Sequence, residues 1–417
     1  MSQDTLGALS ARAPAEVDLT NAEHLDAVRS MADSLSAASA SELADLESRI
    51  SADPTVPVPV GVALKLARSR LLLGTIEGQV HVSLVIAVYK EHLRILTADE
   101  HPAGEDFLRE KLRQLRWLFG PKPRHTWDLT VVDDGCPQGC GRLAQAILDE
   151  FALPDEEVRV LFLEDAITER LPIVDGLDSV SESQKGGSVR YGLWHALKRP
   201  RGPNHVAVFT DADLSTHLGQ LGLLVSPITE EGALAAIGSR REPASVVVKT
   251  GKRNVRGKLF IYLWKQLIPQ LRGIVDTQCG FKAFKASELS SWIEDARDNG
   301  FSFDIEFLLR LHLHSPGYIR TVPIAWIDSE AASTTAELEP YLPMLQSVAR
   351  LYRQELSSSP RAELFARLVE QLDADTFATL TTEVPRGIAT REPHEFDEFD
   401  GVGAKELARA AGLQVSD

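Results

Sequence analysis

Two aspartates one residue apart, Asp211 and Asp213, follow directly on the apolar run Val206-Ala207-Val208-Phe209. At a strand end, an Asp-x-Asp pair points two carboxylates at one hard cation. That suits Mg2+ or Mn2+ with a diphosphate completing the shell. Such a cation neutralises charge on a departing diphosphate, so the chemistry suggested is transfer from a nucleoside-diphosphate donor. Taken alone, the pair reads more plainly as a solvated acidic turn capping the next helix; its strand context and its companions favour chemistry. Asp133 and Asp134 end a second apolar run, in VVDDGCPQGCG. Carboxylates there can accept hydrogen bonds from the imide or ribose of a nucleotide, although turns rich in Asp and Gly also occur without function.

The stretch SQKGGSVRYGL opens a helix with Lys185, Gly186, Gly187 and Arg190. Glycines let backbone N–H groups approach an anion, and the helix N-terminus adds favourable dipole charge. The spacing matches neither GxxxxGK[ST] nor GxGxxG, which counts against kinase and dinucleotide oxidoreductase readings. A basic tract, Arg240, Arg241, Lys249, Lys252, Arg253, Arg256 and Lys258, stands out in an acidic chain. It reads either as a solvated face or as a flexible loop that closes over a diphosphate. His217 and His314 are candidate third metal ligands, although a lone histidine is more often structural. Cys136 and Cys140 sit four apart, but no second Cys/His pair lies nearby to complete a zinc site. They read as two small side chains in a tight loop.

The elements that position these groups alternate. Apolar β-branched runs at Ser83–Tyr89, Leu129–Val132, Val158–Leu163, Val206–Phe209 and Leu234–Ile237 read as strands buried on both faces. Between them, Asp106–Leu118, Gly141–Phe151 and Gly187–Lys198 have the length and amphipathic pattern of helices. Strand–helix alternation of this kind predicts an α/β fold with a mostly parallel central sheet flanked by helices. Functional groups in such sheets collect at the carboxyl ends of the strands. Residues 1 to 80 read as a helical N-terminal extension, with Thr20 or Asn21 capping a segment from Asn21 to Ile50. The proline run at Pro54, Pro57 and Pro59 breaks it, and a second helix follows over about Gly61–Leu73. Residues 336 to 417 read as a C-terminal helical extension, with two amphipathic helices over 340–382. The domain between them is expected to span 81–335.

Composition narrows the class. The chain has 417 residues, 44% hydrophobic and 25% charged, as expected for a globular protein with a sizeable core. Its net charge of −16 argues against nucleic-acid binding. Three cysteines cannot frame a chain this long, so a reducing cytoplasm is the expected setting. The N-terminus has no secretory pattern, and no window approaches the apolar length of a transmembrane helix, which leaves a peripheral membrane position as the alternative.

In this order, the motifs resemble glycosyltransferase family 2, which has the GT-A fold. LVIAVYKE (Leu84–Glu91) is similar to its opening strand VVIPxYNE, Val132–Cys136 to VDDGS, and Lys185–Gly192 to KGGAVRxG. The resemblance is closest to the dolichyl- or polyprenyl-phosphate β-glucosyltransferases. These also carry DADxxT (Asp211–Thr216), GSR (Gly238–Arg240), DTQCGFKxF (Asp276–Phe284), FDxExL (Phe303–Leu308) and VPxxW (Val322–Trp326). It covers residues 82 to about 335. Ala87 stands for the motif's Pro, Lys90 for its Asn and Gln184 for a Gly, while Cys and Gln replace the usual Ser and Asp of the DDG loop. These departures bear on the nucleobase and the sugar more than on the reaction.

The resemblance implies inverting transfer of a hexose from a nucleoside-diphosphate sugar, with a UDP-sugar favoured and a GDP-sugar as alternative. The acceptor is a soluble hydroxyl compound or a polyprenyl phosphate. It implies donor contacts from Ala87, Tyr89, Glu91, Asp133, Asp134, Lys185, Gly186, Arg190, Asp211, Ala212, Arg240, Arg253 and Arg256, and Mg2+ or Mn2+ on Asp211 and Asp213. Asp304, in FSFDIEFLLRL, is the first candidate for the base that deprotonates a hydroxyl acceptor, and Asp276 the second. An ionised phosphate acceptor would need no strong base. An inactive binding or scaffold protein on the same fold is the competing reading outside catalysis. A nucleotidyltransferase is a further alternative, but AVYKEHLRI stands where its Gly-rich loop would be. The terminal helical regions are candidates for homo-oligomerisation or acceptor recognition.

Overall fold

The computed structural model describes residues 3–120, 124–151, 157–199, 201–249, 254–328 and 341–414. The chain groups into two compact units. The first comprises Met1–Thr250, Cys279–Asp295 and Tyr318–Thr334; the second comprises Gly251–Gln278, Ala296–Gly317 and Thr335–Asp417.

The first unit holds strands β1 (His81–Val88), β2 (Thr126–Asp133), β3 (Val158–Phe162), β4 (His205–Thr210), β5 (Ala235–Ser239), β6 (Val246–Val248), β7 (Phe281–Lys285), β8 (Ile319–Pro323) and β9 (Ala325–Ile327). Its helices are α1 (Gln3–Arg12), α2 (Ala22–Ser34), α3 (Ala40–Ala52), α4 (Val58–Thr75), α5 (Phe107–Phe119), α6 (Cys140–Glu150), α7 (Leu163–Thr168), α8 (Gly186–Leu197), α9 (Leu221–Glu230) and α11 (Ala286–Leu289). The second unit holds α10 (Asn254–Leu267), α12 (Phe303–His314), α13 (Tyr341–Glu355), α14 (Pro360–Gln371), α15 (Ala374–Thr382), α16 (Arg386–Ala389) and α17 (Ala404–Ala410).

The central sheet has seven strands in the order β3-β2-β1-β4-β7-β5-β8. β1 to β4 run parallel, β7 is antiparallel to both neighbours, and β5 pairs parallel with β8. This is the expected α/β architecture of a mostly parallel sheet flanked by helices. All five anticipated strands are present. β6 to β9 escaped the pattern because they are short and β7 and β8 carry charges, Lys282, Lys285 and Arg320. The register aligns Val88 with Asp133 and Ile86 with Thr210, so β1, β2 and β4 end along one edge.

Three local readings change. The helical stretch over 21–50 is two helices: Asn21 caps the first, and a Ser39–Glu42 capping box starts the second. Among the described residues of the basic tract from Arg240 to Lys258, which leave out Lys252 and Arg253, not all are loop. Its Val246–Val248 pairs with Ala325–Ile327 as a parallel strand, and Arg256 and Lys258 ride on α10. Residues 341–382 form three helices rather than two, since Asp373 caps a third.

The N-terminal helices brace the sheet's helical layer. Arg29 of α2 pairs with Glu110 of α5 at 2.9 Å. On α4, the Ser69 hydroxyl accepts the N–H of Gly222 at 2.8 Å, and a Cβ at Gly222 would lie 2.1 Å from the Ser69 carbonyl oxygen. Only a glycine lets α9 approach α4 this closely. Gln114 of α5 in turn accepts the N–H of Leu218 at 2.8 Å, which holds the chain just after the Asp211–Asp213 turn.

Candidate active site

The ends of β1, β2 and β4 carry Glu91, Asp133 with Asp134, and Asp211 with Asp213. Parallel pairing makes this grouping unavoidable, because each strand delivers the residues that follow it to the same edge.

Both carboxylates of the Asp133-Asp134 pair are buried, and both organise backbone. Asp133 accepts the N–H of Cys136 at 2.8 Å and that of Gly141, in the first turn of α6, at 2.5 Å. Asp134 reaches the opening of α8. Its Oδ1 accepts the hydroxyls of Ser183 (2.6 Å) and Ser188 (2.5 Å), and its Oδ2 accepts the Lys185 N–H at 2.8 Å. Burial pushes the Asp134 carboxyl up against the pull of these donors. Gly186 and Gly187 begin the helix, and a Cβ at Gly187 would meet the Ser183 hydroxyl oxygen at 2.6 Å. Lys185, just ahead of them, is held at φ +75°. A non-glycine residue in this region carries strain that the surrounding bonds must over-determine.

That strained residue places its ammonium on Asp211 Oδ1. Burial raises the Asp211 carboxyl, but the cations Lys185, Arg240 and Lys282 outweigh it and hold the group below the ordinary carboxylate range. The Asp211 N–H donates to the Gly280 carbonyl at 3.0 Å, and a Cβ at Gly280 would fall 2.2 Å from Asp211 Oδ1. Ala212 is buried between the two aspartates. Asp213 accepts the N–H of Ser215 at 3.1 Å and lies 3.9 Å from the Arg94 guanidinium.

Arg94 also pairs with Glu91 at 3.0 Å and Glu105 at 3.2 Å. Burial drives the Glu91 carboxyl up to about 7, with Arg94 opposing and the acidic neighbours Asp213, Glu105 and Asp211 reinforcing the shift. Lys111, on α5, is fully buried, and its ammonium has no hydrogen-bond partner among the described residues. Burial lowers it to about 8, while Asp213 and Asp211 pull it back up. Arg94, Glu105, Lys111 and Lys282 were not singled out from the sequence. A signal existed for Lys111, a charge on the apolar stripe of α5 shared with Phe107 and Leu115, and for Lys282, a lysine inside Phe281–Phe284.

Other candidates fall elsewhere. Ala87 is paired with Val132 in the sheet, and Tyr89 is 45% exposed, with the Lys90 ammonium 5.2 Å from its ring centroid. Arg190 is fully buried and donates to the Ile173 carbonyl at 3.0 Å, turned into the protein. Arg240 follows β5 and lies over the Trp326 ring at 5.3 Å. Arg253 lies outside the described residues. His217 accepts the Gly219 N–H at 2.9 Å, and burial holds its imidazole well below the usual range, so it serves as a neutral cap. In the second unit, Asp276 and Asp304 are both buried, Asp304 in the first turn of α12, and Arg256 is exposed on α10. Glu306 accepts the N–H groups of Arg297 (2.9 Å) and Asp298 (2.7 Å) and pairs with Arg310 (2.8 Å), a structural set of partners. His314 is exposed at the end of α12.

Among the described residues, no helix is long and apolar enough to cross a membrane. No family model matches the chain. The chain is 25% identical over 277 residues to a dolichyl-phosphate β-glucosyltransferase of Saccharomyces cerevisiae, covering 63% of this chain and 72% of that protein. It is 26% identical over 231 residues to glycosyltransferase AglD of Haloferax volcanii, covering 55% of this chain and 31% of that longer protein. Among solved structures, glucosyl-3-phosphoglycerate synthase from Mycobacterium tuberculosis, in complex with Mn2+, UDP-glucose and phosphoglyceric acid, superposes with a TM-score of 0.46 at 17% identity, covering 70% of this chain and 85% of that one. With these homologues, the chain is a glycosyltransferase of the hexose-transferring class, related to the family 2 dolichyl-phosphate β-glucosyltransferases.

Proposed function

We propose that this protein transfers a hexose from a nucleoside-diphosphate sugar, with UDP-glucose the first donor to test, in a reaction that needs a divalent cation. The observation that carries the reading is the Lys185 ammonium on Asp211 at the end of a buried parallel strand, with the charges of Arg240 and Lys282 also lowering that carboxyl, within a chain of net charge −16. A local set of cations in an acidic protein suits a diphosphate.

Asp211 and Asp213 fit Mg2+ or Mn2+. The Asp211 carboxylate already takes a cation, the Lys185 ammonium, and both side chains are partly open, at 35% and 31% exposure. No cluster of three or more potential ligands occurs among the described residues. Diphosphate and water oxygens would therefore complete the shell, as is usual for a hard cation bound beside phosphates. Bound there, the cation would offset charge on the leaving diphosphate. Lys185 would pass from Asp211 to the diphosphate, and Arg240 would add charge at the same edge. Asp134 would hold the Lys185 loop in place through the exchange. Asp304, with Asp276 as the alternative, would take the proton from a hydroxyl acceptor. The acceptor is a soluble hydroxyl compound or a polyprenyl phosphate; the names of the curated relatives support the second.

The test is calorimetry of UDP-glucose and GDP-mannose with and without Mn2+, followed by transfer assays on dolichyl phosphate and on soluble hydroxyl compounds. Metal-dependent binding of one donor is the expected result. Binding of neither by the folded protein would sink the transferase reading and favour a scaffold.

A further inference from the structure

Cys136 and Cys140 lie on the turn between β2 and α6, with their Sγ atoms 3.0 Å apart and neither in a disulfide. Closing that gap to a disulfide needs a movement of about 1 Å. A glycine with positive φ precedes each cysteine, Gly135 at +73° and Gly139 at +71°, a conformation glycine adopts at no steric cost. A Cβ at Gly139 would meet nothing within 4 Å, so the chain beside Cys140 has room to adjust. The pair also ties two loops of the site together. The N–H of Lys90 donates to Cys136 Sγ at 3.3 Å, and that of Glu91 to Cys140 Sγ at 3.1 Å. The two thiols thus clip the segment after β1, with Tyr89 and Glu91, to the turn that follows Asp133 and Asp134. Their exposure differs. Cys136 is 9% exposed beside the exposed Pro137 and Gln138, whereas Cys140 is fully buried at the start of α6. That asymmetry suits an entry thiol and a resolving thiol.

We infer that Cys136 and Cys140 form a reversible intramolecular disulfide by exchange with a small-molecule disulfide, and that the bridge loosens the segment after β1. In the first step the Cys136 thiolate attacks the small disulfide. A mixed disulfide forms, and one small thiolate leaves with the electron pair and takes up a proton. In the second step the Cys140 thiolate attacks Cys136 Sγ. The protein disulfide forms, and the second small thiol leaves in the same way. Two protein thiols are oxidised, one small disulfide is reduced to two thiols, and both thiol protons pass to the leaving groups. Drawing the sulfurs together takes them from the N–H groups of Lys90 and Glu91, and a bridged sulfur is a poorer acceptor for a backbone donor. Burial raises the Cys140 thiol, so exchange proceeds through local opening of the turn and is slow. Tightly packed, inert side chains in the same turn would form no bridge at any redox poise.

The full chain is equilibrated in glutathione buffers of graded oxidised-to-reduced ratio, quenched in acid, alkylated and mapped by mass spectrometry. The expected product is a peptide joined at Cys136 and Cys140, lighter by two hydrogens, with Cys279 alkylated, and it is reversed by dithiothreitol. Cys136→Ser and Cys140→Ser should each lack it. Glutathione adducts alone, or unmodified thiols at every ratio, would overturn the inference. In the bridged protein the amides of Lys90 and Glu91 should exchange hydrogen roughly tenfold faster; unchanged exchange would overturn the loosening. Donor affinity, whose measurement rests on the proposed function, should fall in the bridged form and return on reduction. Unchanged affinity, in a protein that binds donor when reduced, would separate the bridge from the site. Failure of the reduced protein to bind donor would instead count against the transferase reading and leave the first two measurements to decide the disulfide.

Discussion

Asp134, at the end of β2, accepts the hydroxyl of Ser188, in the first turn of α8, at 2.5 Å. The same carboxylate takes Ser183 and the N–H of Lys185, so one side chain fixes the loop that presents Lys185 to Asp211. Replacing it with alanine leaves two buried hydroxyls and the half-buried Lys185 N–H unsatisfied, at about 1 kcal/mol each. Asp134→Ala should therefore lower unfolding free energy by about 3 kcal/mol in urea titration and weaken donor binding. An unchanged midpoint would show that this clasp carries no weight.

Gly280 is required by contact, since a Cβ there would sit 2.2 Å from Asp211 Oδ1. Gly280→Ala should displace the Asp211 carboxylate and reduce Mn2+-dependent donor affinity by roughly tenfold or more, equivalent to about 1.4 kcal/mol. Isothermal calorimetry of donor with and without Mn2+ reads this directly. Retained affinity would mean that Asp211 has room to move without consequence.

Asp213 accepts one backbone N–H and is otherwise half-open. Asp213→Asn should abolish metal-dependent donor binding while leaving the melting temperature within a few degrees of the parent, as expected of a partly exposed substitution worth about 0.5 kcal/mol. Donor affinity equal to that of the parent would remove the metal assignment.

Asp304→Asn should keep donor binding and lose transfer to a hydroxyl acceptor, by roughly a hundredfold or more. The comparison is turnover against donor affinity in the same preparation. Unaltered turnover would move the base to Asp276.

At the opposite edge of the sheet, His205 donates to or accepts from Ser83 at 2.9 Å and stacks edge-on against His81, which pairs with Asp128 at 3.0 Å. Burial, then the nearby His81, lowers His205 from 6.5 to about 4. A histidine with a depressed folded pKa binds its proton more readily when unfolded. Its contribution is therefore present above pH 6.5 and is lost as pH falls toward 4, by about 3 kcal/mol in all. Unfolding followed from pH 7.5 to 4.5 should show this loss, and His205→Gln should flatten it. Equal slopes in the two proteins would assign the acid sensitivity to other groups.

The sequence by itself determined the strands that matter most and the acids at their ends. β1, β2 and β4 are long, apolar and β-branched, and a strand buried on both faces has no other composition available. Because the groups that follow parallel strands collect at the carboxyl ends of the sheet, Asp133, Asp134, Asp211 and Asp213 could be assigned to one edge before any coordinates. Tertiary structure alone decided what each group does there. Asp134 became a clasp because Ser183 and Ser188, some fifty residues later, fold over it. Arg190, in a motif that suggested an anion site, turned inward to a carbonyl, and His217 became a buried cap. Lys111 and Lys282 joined the electrostatics of Asp211 and Asp213 from a helix and an antiparallel strand that periodicity could not place beside them. Local pattern encodes which face of an element is apolar; which distant side chain meets a given carboxylate depends on long-range packing, which that pattern does not record.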